Sequence, residues 1–402
     1  MYGAPAGSGG LGLQAATALT ALAGRGVTVH AFGPGRLSDW PLQVGEPPLV
    51  WHRSPKSLTY RALRYSWWRW YQGHYQLLRD RSLGRWAKRV IERLSPECCY
   101  VFTQVGLETL KWARKNEIPT VLDNPTGHIR HYGEVFARET REWSGSKHLG
   151  HPTNAMIERV EEEYYLADRI RVSSEWAKRS LISYGVQAKK IQVVPQPLNL
   201  SRFRPGPTRV CGTGPLQVCY VGSLNLAKGF QYLTRAIKRL APDAVDLEIV
   251  GATGTRIARQ VFQKERQGIN VTAVPGDPLV AYQRAEIFVL PSLHDGFGFV
   301  VGEAMACGLP VIVTESCGAS GWVRNGTTGW IVPPGRDDAL AGALIEALHR
   351  RAQLNAMGQL ARADVEKLGN LECLGQLREW VYSNQFGPEE LNVETNGSVN
   401  VI

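Results

Sequence analysis

The sequence has no run of 18 or more apolar residues, so no segment reads as a helix that crosses a bilayer. Its opening, residues 1–12, holds neither a basic stretch nor a long apolar one and does not read as a signal peptide. Cysteine is sparse and odd in number: Cys98, Cys99, Cys211, Cys219, Cys307, Cys317 and Cys373. Cys98 and Cys99 are adjacent and the others lie far apart, so no pair has metal-site spacing. Thiols scattered in this way read as small buried groups in a reducing compartment, and the cytoplasm is the expected address. No HExxH, CxxC, Walker loop or acid-rich cluster occurs, so neither a metal nor a cofactor is expected. Acids are the minority charge, 36 against 46 Lys and Arg, for a formal charge of +10. That surplus favours an anionic partner: nucleic acid, a membrane surface or a phosphorylated substrate. No nucleic-acid-binding module accompanies it, and nucleic acid is set aside.

What the chain does have is length for two domains and a regular alternation of elements. Short β-branched runs at 27–32, 99–102, 120–122, 169–172 and 191–194 read as strands of a first half. Runs at 218–221, 247–250, 271–274, 287–290 and 311–313 read as strands of a second. Helix-period stretches such as 13–22, 155–165 and 230–240 lie between them. Such alternation predicts an α/β chain of two Rossmann-like, doubly wound domains. The proline-rich stretch 195–215 marks the break. The reading is a first domain over 1–198 and a second over 199–370. A helix within 371–384 packs back on the first domain, and a polar tail over 385–402 is expected to be disordered. One feature departs from the pattern. A doubly wound domain should begin with a buried strand, yet this chain opens on a glycine-rich stretch and a helix. Either the first strand lies upstream of Met1 or the protein does without it.

The most informative block is LPSLHDGFGFVVGEAMACGLPVIVT, residues 290–314. It reads as a buried strand, a loop at the strand's carboxyl end, a short helix over 299–306 stopped by Gly308 and Pro310, and another strand. Ligands bind at such loops in open α/β sheets. Gly296 and Gly298 let bare backbone approach a ligand, and the amides at the helix start attract oxygens. Two carboxylates, Asp295 and Glu303, bracket the turn; each can accept hydrogen bonds from neighbouring hydroxyls of a ribose or a hexose.

This block resembles the family-4 retaining glycosyltransferases of the GT-B fold, whose hallmark is two glutamates with seven residues between them around a Gly-Phe-Gly turn. Here the match is DGFGFVVGE, with Asp295 where the family has Glu. The stretch YVGSLNLAKGFQYL, 220–233, has the family's strand, glycine and Lys-Gly order, and 160–205 has its helix ending in Ala-Asp, strand, serine cap and linker. The resemblance spans roughly residues 7–382 and is strongest after Val160. It implies two domains facing a cleft, with a nucleotide-sugar donor on the second and a glycan, lipid-linked or small-molecule acceptor on the first. It implies hexosyl transfer with retention of configuration. Lys228 would bind the donor diphosphate, Glu303 the ribose, and Asp295 with the amides of Phe297 and Gly298 the transferred sugar. Ser223 and Phe299 complete the donor crevice, and Ser223 replaces an arginine common in the family. Gly9 and Gly10 would form a loop facing the donor phosphates across the cleft. The family often has a histidine after a first-domain strand, and His128 in LDNPTGHIRHYGE is the candidate, with Asp123 and His131 close by. Relatives acting as epimerases or as non-catalytic binding proteins are the competing readings.

Two weaker signals remain. Gly7-Ser-Gly9-Gly10-Leu-Gly12 matches a dinucleotide fingerprint, but no strand precedes it and no acid ends the next strand, so NAD is not expected. Residues 51–93 are rich in Arg, Trp and Tyr, with Arg61, Arg64, Arg69, Arg79, Arg85 and Arg89 supplying charge. They read equally well as a basic amphipathic surface for an anionic inner-membrane face and as a core-packed helix pair.

Overall fold

The computed structural model describes residues 9–22, 27–33, 49–54, 72–145, 152–206, 214–251, 253–369, 372–382 and 399–401. The first domain opens with α1 (Gly9–Leu22), then β1 (Val27–Gly33), β2 (Leu49–Arg53), α2 (Gln72–Ile91), β3 (Cys99–Phe102), α3 (Leu107–Lys115) and β4 (Thr120–Asp123). It continues with α4 (Ile129–Ser144), α5 (Asn154–Leu166), β5 (Arg169–Val172), α6 (Glu175–Ser183) and β6 (Ile191–Val193). The second holds β7 (Leu216–Val221), α7 (Phe230–Lys238), β8 (Val245–Val250), α8 (Arg256–Glu265), β9 (Asn270–Val274), α9 (Leu279–Arg284), β10 (Ile287–Leu290) and α10 (Phe299–Ala306). It closes with β11 (Val311–Thr314), β12 (Gly329–Val332), α11 (Asp337–His349) and α12 (Leu354–Leu368), after which α13 (Glu372–Tyr382) and β13 (Val399–Val401) follow.

The second domain is one parallel sheet in the order β12-β11-β10-β7-β8-β9. Its central strands are apolar runs buried on both faces, all four residues of β10 and of β11 among them. Helix starts carry side-chain caps where the sequence supplies them: Ser174 accepts the amide of Ala177, Thr153 that of Met156 and Thr255 that of Ala258. Because β7 and β10 are neighbours, the loops that leave their carboxyl ends lie side by side. This placement builds the site described below.

The first domain carries two parallel sheets, β3-β4-β5-β6 and β13-β1-β2. The expectation of a wholly disordered tail from residue 385 fails at Val399–Val401, which pair with Val27–Val29 of β1. The physical cause is the free edge of β1, whose amides and carbonyls accept a further strand. Helix α13 lies against α1. Arg378 donates to the Ala21 carbonyl at 2.6 Å and the Tyr382 hydroxyl to that of Leu22 at 2.7 Å. Leu377 and Val381 join Ala18, Ala21 and Leu22 in one buried cluster.

Beneath the sheet ends lies a buried ion pair. Asp123, at the end of β4, and Arg171, on β5, are both fully buried with Nη1–Oδ2 at 3.1 Å. Gln14 and Tyr100 also donate to the Asp123 carboxylate, at 2.6 and 2.5 Å. Arg171 spends its remaining donors on the carbonyls of Val194 and Pro195, where the chain leaves the domain. Asp123 therefore ties α1, β3, β5 and the linker together and does not reach the cleft.

Of the basic stretch 51–93, residues 55–71 lie outside the described residues, with Arg61, Arg64, Trp67, Arg69, Trp70 and Tyr71 among them. On α2, Arg81, Arg85 and Arg89 are exposed and share one face at four-residue spacing. Arg79 is instead partly buried against Asp80 at 3.1 Å. Among the described residues no helix is long and apolar enough to cross a membrane.

Candidate functional site

The second-domain wall of the cleft is built by two adjoining loops. After β7 the chain turns through Gly222 and Ser223 into a single 3-10 turn, Leu226–Lys228, capped by the Asn225 side chain on the amide of Ala227. Gly229 ends it at φ +76°, where a Cβ would stand 1.9 Å from the Pro291 carbonyl oxygen. Only glycine fits there, and the Lys-Gly order follows from that restriction. The turn aims Lys228 at the loop after β10, where its Nζ meets Asp295 Oδ2 at 2.5 Å. This loop is stitched to the one after β11: the Asp295 amide donates to the Ser316 carbonyl, and the Gly318 amide to the Asp295 carbonyl. Gly298, at φ +82°, turns the chain into α10, with Cys317 packed beneath it.

The first-domain wall comes from the carboxyl ends of β3 and β4. Thr103, Gln104, Asn124, Pro125 and Thr126 line the cleft, with Tyr132 of α4 beside them. Gln104 sits at φ +76°, a backbone conformation that a non-glycine residue holds only when its surroundings enforce it. They do so here, since its amide donates to Glu163 at 2.6 Å and its carbonyl accepts from Arg159 at 2.7 Å. Together the walls line a half-open cavity that contains Lys228, Asp295 and Gly296.

The two domains touch directly across this cavity. His294, the residue before Asp295, reaches over so that its Nε2 lies 2.8 Å from Thr126 Oγ1 and its Nδ1 2.8 Å from His131 Nδ1. Ser174, beyond capping its own helix, donates to the Gly296 carbonyl at 2.6 Å. Further along α4, the buried Glu139 accepts from Tyr232 and Gln231 of α7 at 2.8 and 3.2 Å. Trp143 at the end of that helix packs edge-on to Tyr232. Helix α4 is thus a strap belonging to one domain and docked on the other.

The electrostatics follow from these contacts. Burial disfavours the Lys228 ammonium, but the Asp295 carboxylate outweighs it, and the pKa of Lys228 lies above the ordinary lysine value. Lys228 is therefore a fixed positive charge at any physiological pH. Burial, with His131, Lys228 and His128 adding repulsion, pushes the pKa of His294 well down, so its ring is neutral. Burial raises the pKa of Glu303 despite a 2.9 Å hydrogen bond from the Tyr282 hydroxyl.

The residues expected from the sequence are only partly assembled. Lys228, Asp295 and Gly296 share the cavity. Glu303 projects from α10 toward Tyr282 of α9, on the other side of the Gly298 turn. Phe297 is buried against Phe299 and Trp322, so its ring is a packing element. Ser223 is exposed at the end of β7. Gly9 and Gly10 are the first residues of α1 rather than a loop before it; amides there still lack helical partners. His128 does not join the cavity. Its Nδ1 accepts the amide of Arg130 as the N-cap of α4, and its ring stacks on Tyr184 at 4.5 Å. His131, three residues on, meets His294 of the second domain but does not line the cavity either. His294, Thr126, Asn124 and Gln104 were not singled out from sequence. Only the position of His294 beside Asp295 could have signalled it.

Both halves of the chain match known protein families. Residues 8–202 match the model of Glycosyltransferase Family 4, and residues 211–364 that of Glycosyl transferases group 1. The chain belongs to the family-4, group 1 glycosyltransferases. The D-inositol 3-phosphate glycosyltransferase of Nocardia farcinica is 32% identical over 218 residues, covering 49% of this chain and 48% of the relative. That of Rhodococcus erythropolis is 31% identical over 196 residues, 43% and 44% of the two chains. The chain thus spans about half the length of the curated relatives it matches. Among solved structures, the sucrose-phosphate synthase of Thermosynechococcus elongatus superposes with a TM-score of 0.67 at 21% identity, covering 93% of this chain and 94% of that one. HepE of Anabaena in complex with UDP-glucose superposes with a TM-score of 0.60 at 17% identity, covering 75% and 82%. These likenesses give the GT-B fold: two Rossmann-like domains across a cleft.

Proposed function

We propose that this chain transfers a hexosyl group from a nucleotide-sugar donor to a hydroxyl of an acceptor held by the first domain, with retention of configuration. The observation that carries the reading is the Lys228–Asp295 pair. Residues 67 apart in sequence meet at 2.5 Å on the wall of an open interdomain cavity. When the glycosidic bond to a nucleoside diphosphate breaks, negative charge gathers on the leaving group. A fixed ammonium and the amides at the start of α10 stabilise that charge where it develops. Asp295 holds the lysine in place and offers its second oxygen to a sugar hydroxyl. Glu303, near the far end of the same turn, accepts from the ribose. Contact of His294 with Thr126 and of Ser174 with Gly296 closes the domains on the reactants and excludes water that would hydrolyse the donor.

The acceptor class we favour is a glycan or lipid-linked glycan, with Arg81, Arg85 and Arg89 set against an anionic membrane face. UDP-glucose, bound by HepE, is the first donor to try. The test is transfer from labelled UDP-, GDP- and ADP-sugars to a membrane or polysaccharide extract. Lys228→Ala and Glu303→Ala are expected to lower transfer by at least ~10²-fold with circular dichroism unchanged. Wild-type rates in both variants would defeat the assignment.

A further inference from the structure

A second, open cavity lies on the first domain between the start of α4, the end of α5 and the turn after α6. Tyr164 lines both this cavity and the reaction cavity, so the two are neighbours. The transfer chemistry uses none of its other residues. Its rim presents Tyr165, a residue 68% exposed whose ring is braced by the Arg114 guanidinium 5.2 Å from the centroid. Tyr184 forms another wall, its hydroxyl donating to Glu134 at 2.5 Å. Arg130 is already engaged by both oxygens of Glu161, at 2.8 and 2.6 Å, and Lys190 donates to the carbonyls of Tyr165 and Ala167. The cations are thus spent on protein partners, which disfavours a phosphate or carboxylate ligand.

His128 lies in this cavity, buried to 1% exposure. Its Nδ1 accepts the Arg130 amide and so carries no proton. Burial pushes its pKa down to about 4, so the ring is neutral. The single proton must then sit on Nε2, which lies 3.9 Å from Glu161 Oε1, beyond hydrogen-bond reach. His128 itself is sealed beneath Tyr184, so the cavity offers a ligand the exposed Gln187 amide, the Glu161 carboxylate as acceptor, and tyrosine rings. Pyranoses match that set, with apolar ring faces for stacking and hydroxyls that both give and take hydrogen bonds.

We propose that this cavity is a carbohydrate subsite that binds an uncharged pyranose unit of an extended glycan. As an acceptor subsite it rests on the transferase reading; as a sugar-binding site it does not.

The experiment is saturation-transfer NMR of maltohexaose, cellohexaose and a β-1,3-linked glucan hexamer with the full chain, alongside the thermal shift given by UDP. Tyr165→Ala and Gln187→Ala change exposed side chains and leave the reaction cavity intact. At least one hexasaccharide should bind the wild type. Each variant should weaken it about tenfold, with the UDP shift unchanged and with 10 mM inorganic phosphate unable to displace it. No binding by any of the three glycans, equal binding in both variants, or displacement by phosphate would overturn the subsite. Glycan binding without any UDP shift would leave it standing and count against the donor reading alone.

Discussion

Gly296→Ala is the substitution that most directly tests whether the arrangement with the domains in contact is the reactive one. A Cβ at position 296 would stand 2.2 Å from the Pro125 carbonyl oxygen and 2.4 Å from the Thr126 Cα, both backbone atoms of the opposite domain. Ordinary contact begins at 3.4 Å, and a backbone carbonyl cannot swing aside as a side-chain tip can. The walls must therefore part by about 1 Å, and a misplacement of that size costs on the order of 10²-fold in rate. Parting the domains also lengthens the Ser174–Gly296 and His294–Thr126 hydrogen bonds, which hold the same seam. The clash vanishes once the cleft opens, so the thermal midpoint should move little. Donor affinity should change less than the rate, since Lys228, Asp295 and Glu303 all lie on the second domain. The assay is steady-state transfer with the donor that the wild type consumes, read with the thermal shift given by its nucleoside diphosphate. A kcat within threefold of wild type would refute the reasoning, as would a lost nucleotide shift.

Three further outcomes are expected. Asp123→Asn leaves the buried Arg171 without its counter-charge, which costs about 3–5 kcal/mol and lowers the midpoint by on the order of 10 °C; a thermal melt unchanged within error would contradict the buried-pair account. His128 stays neutral in the folded chain to about pH 4, while its unfolded counterpart takes up a proton below its ordinary value of 6.5. Its contribution is thus complete above pH 6.5 and is lost as pH falls through that window, by up to about 3 kcal/mol. His128→Asn keeps the N-cap and should flatten the melting curve between pH 4 and 6.5; parallel profiles would show that another group is responsible. Neutralising Arg81, Arg85 and Arg89 to Gln should weaken binding to vesicles rich in phosphatidylserine by roughly 10²-fold, at about 1 kcal/mol per charge. Undiminished sedimentation with the vesicles would remove the basic face from the membrane argument.

The segment 290–314 was legible because its signals are local. A strand, its following loop and a short helix are dictated by apolar runs and by glycines whose φ no other residue adopts freely, as at Gly298. Lys228 was legible for the same reason, through the Lys-Gly order that the contact of Gly229 with Pro291 requires. The placement of His128 was not legible because an N-cap side chain turns back toward its own helix, and nothing in its neighbourhood in sequence says which way that is. The strand Val399–Val401 was missed because its partner lies at the opposite end of the chain.

The sequence by itself therefore determined the class of fold and the order of strand, loop and helix over 290–314, both of which follow from period, turn chemistry and spacing within a few dozen residues. Tertiary structure alone decided what meets across distance. It set Lys228 against Asp295 because β7 and β10 are sheet neighbours, buried Asp123 against Arg171, and brought His294 to His131 and Thr126 across the cleft. The physical reason is that hydrogen bonds and ion pairs depend on positions in space. Sheet order and domain docking set those positions, and both arise from burying apolar faces that many polar arrangements would serve equally well.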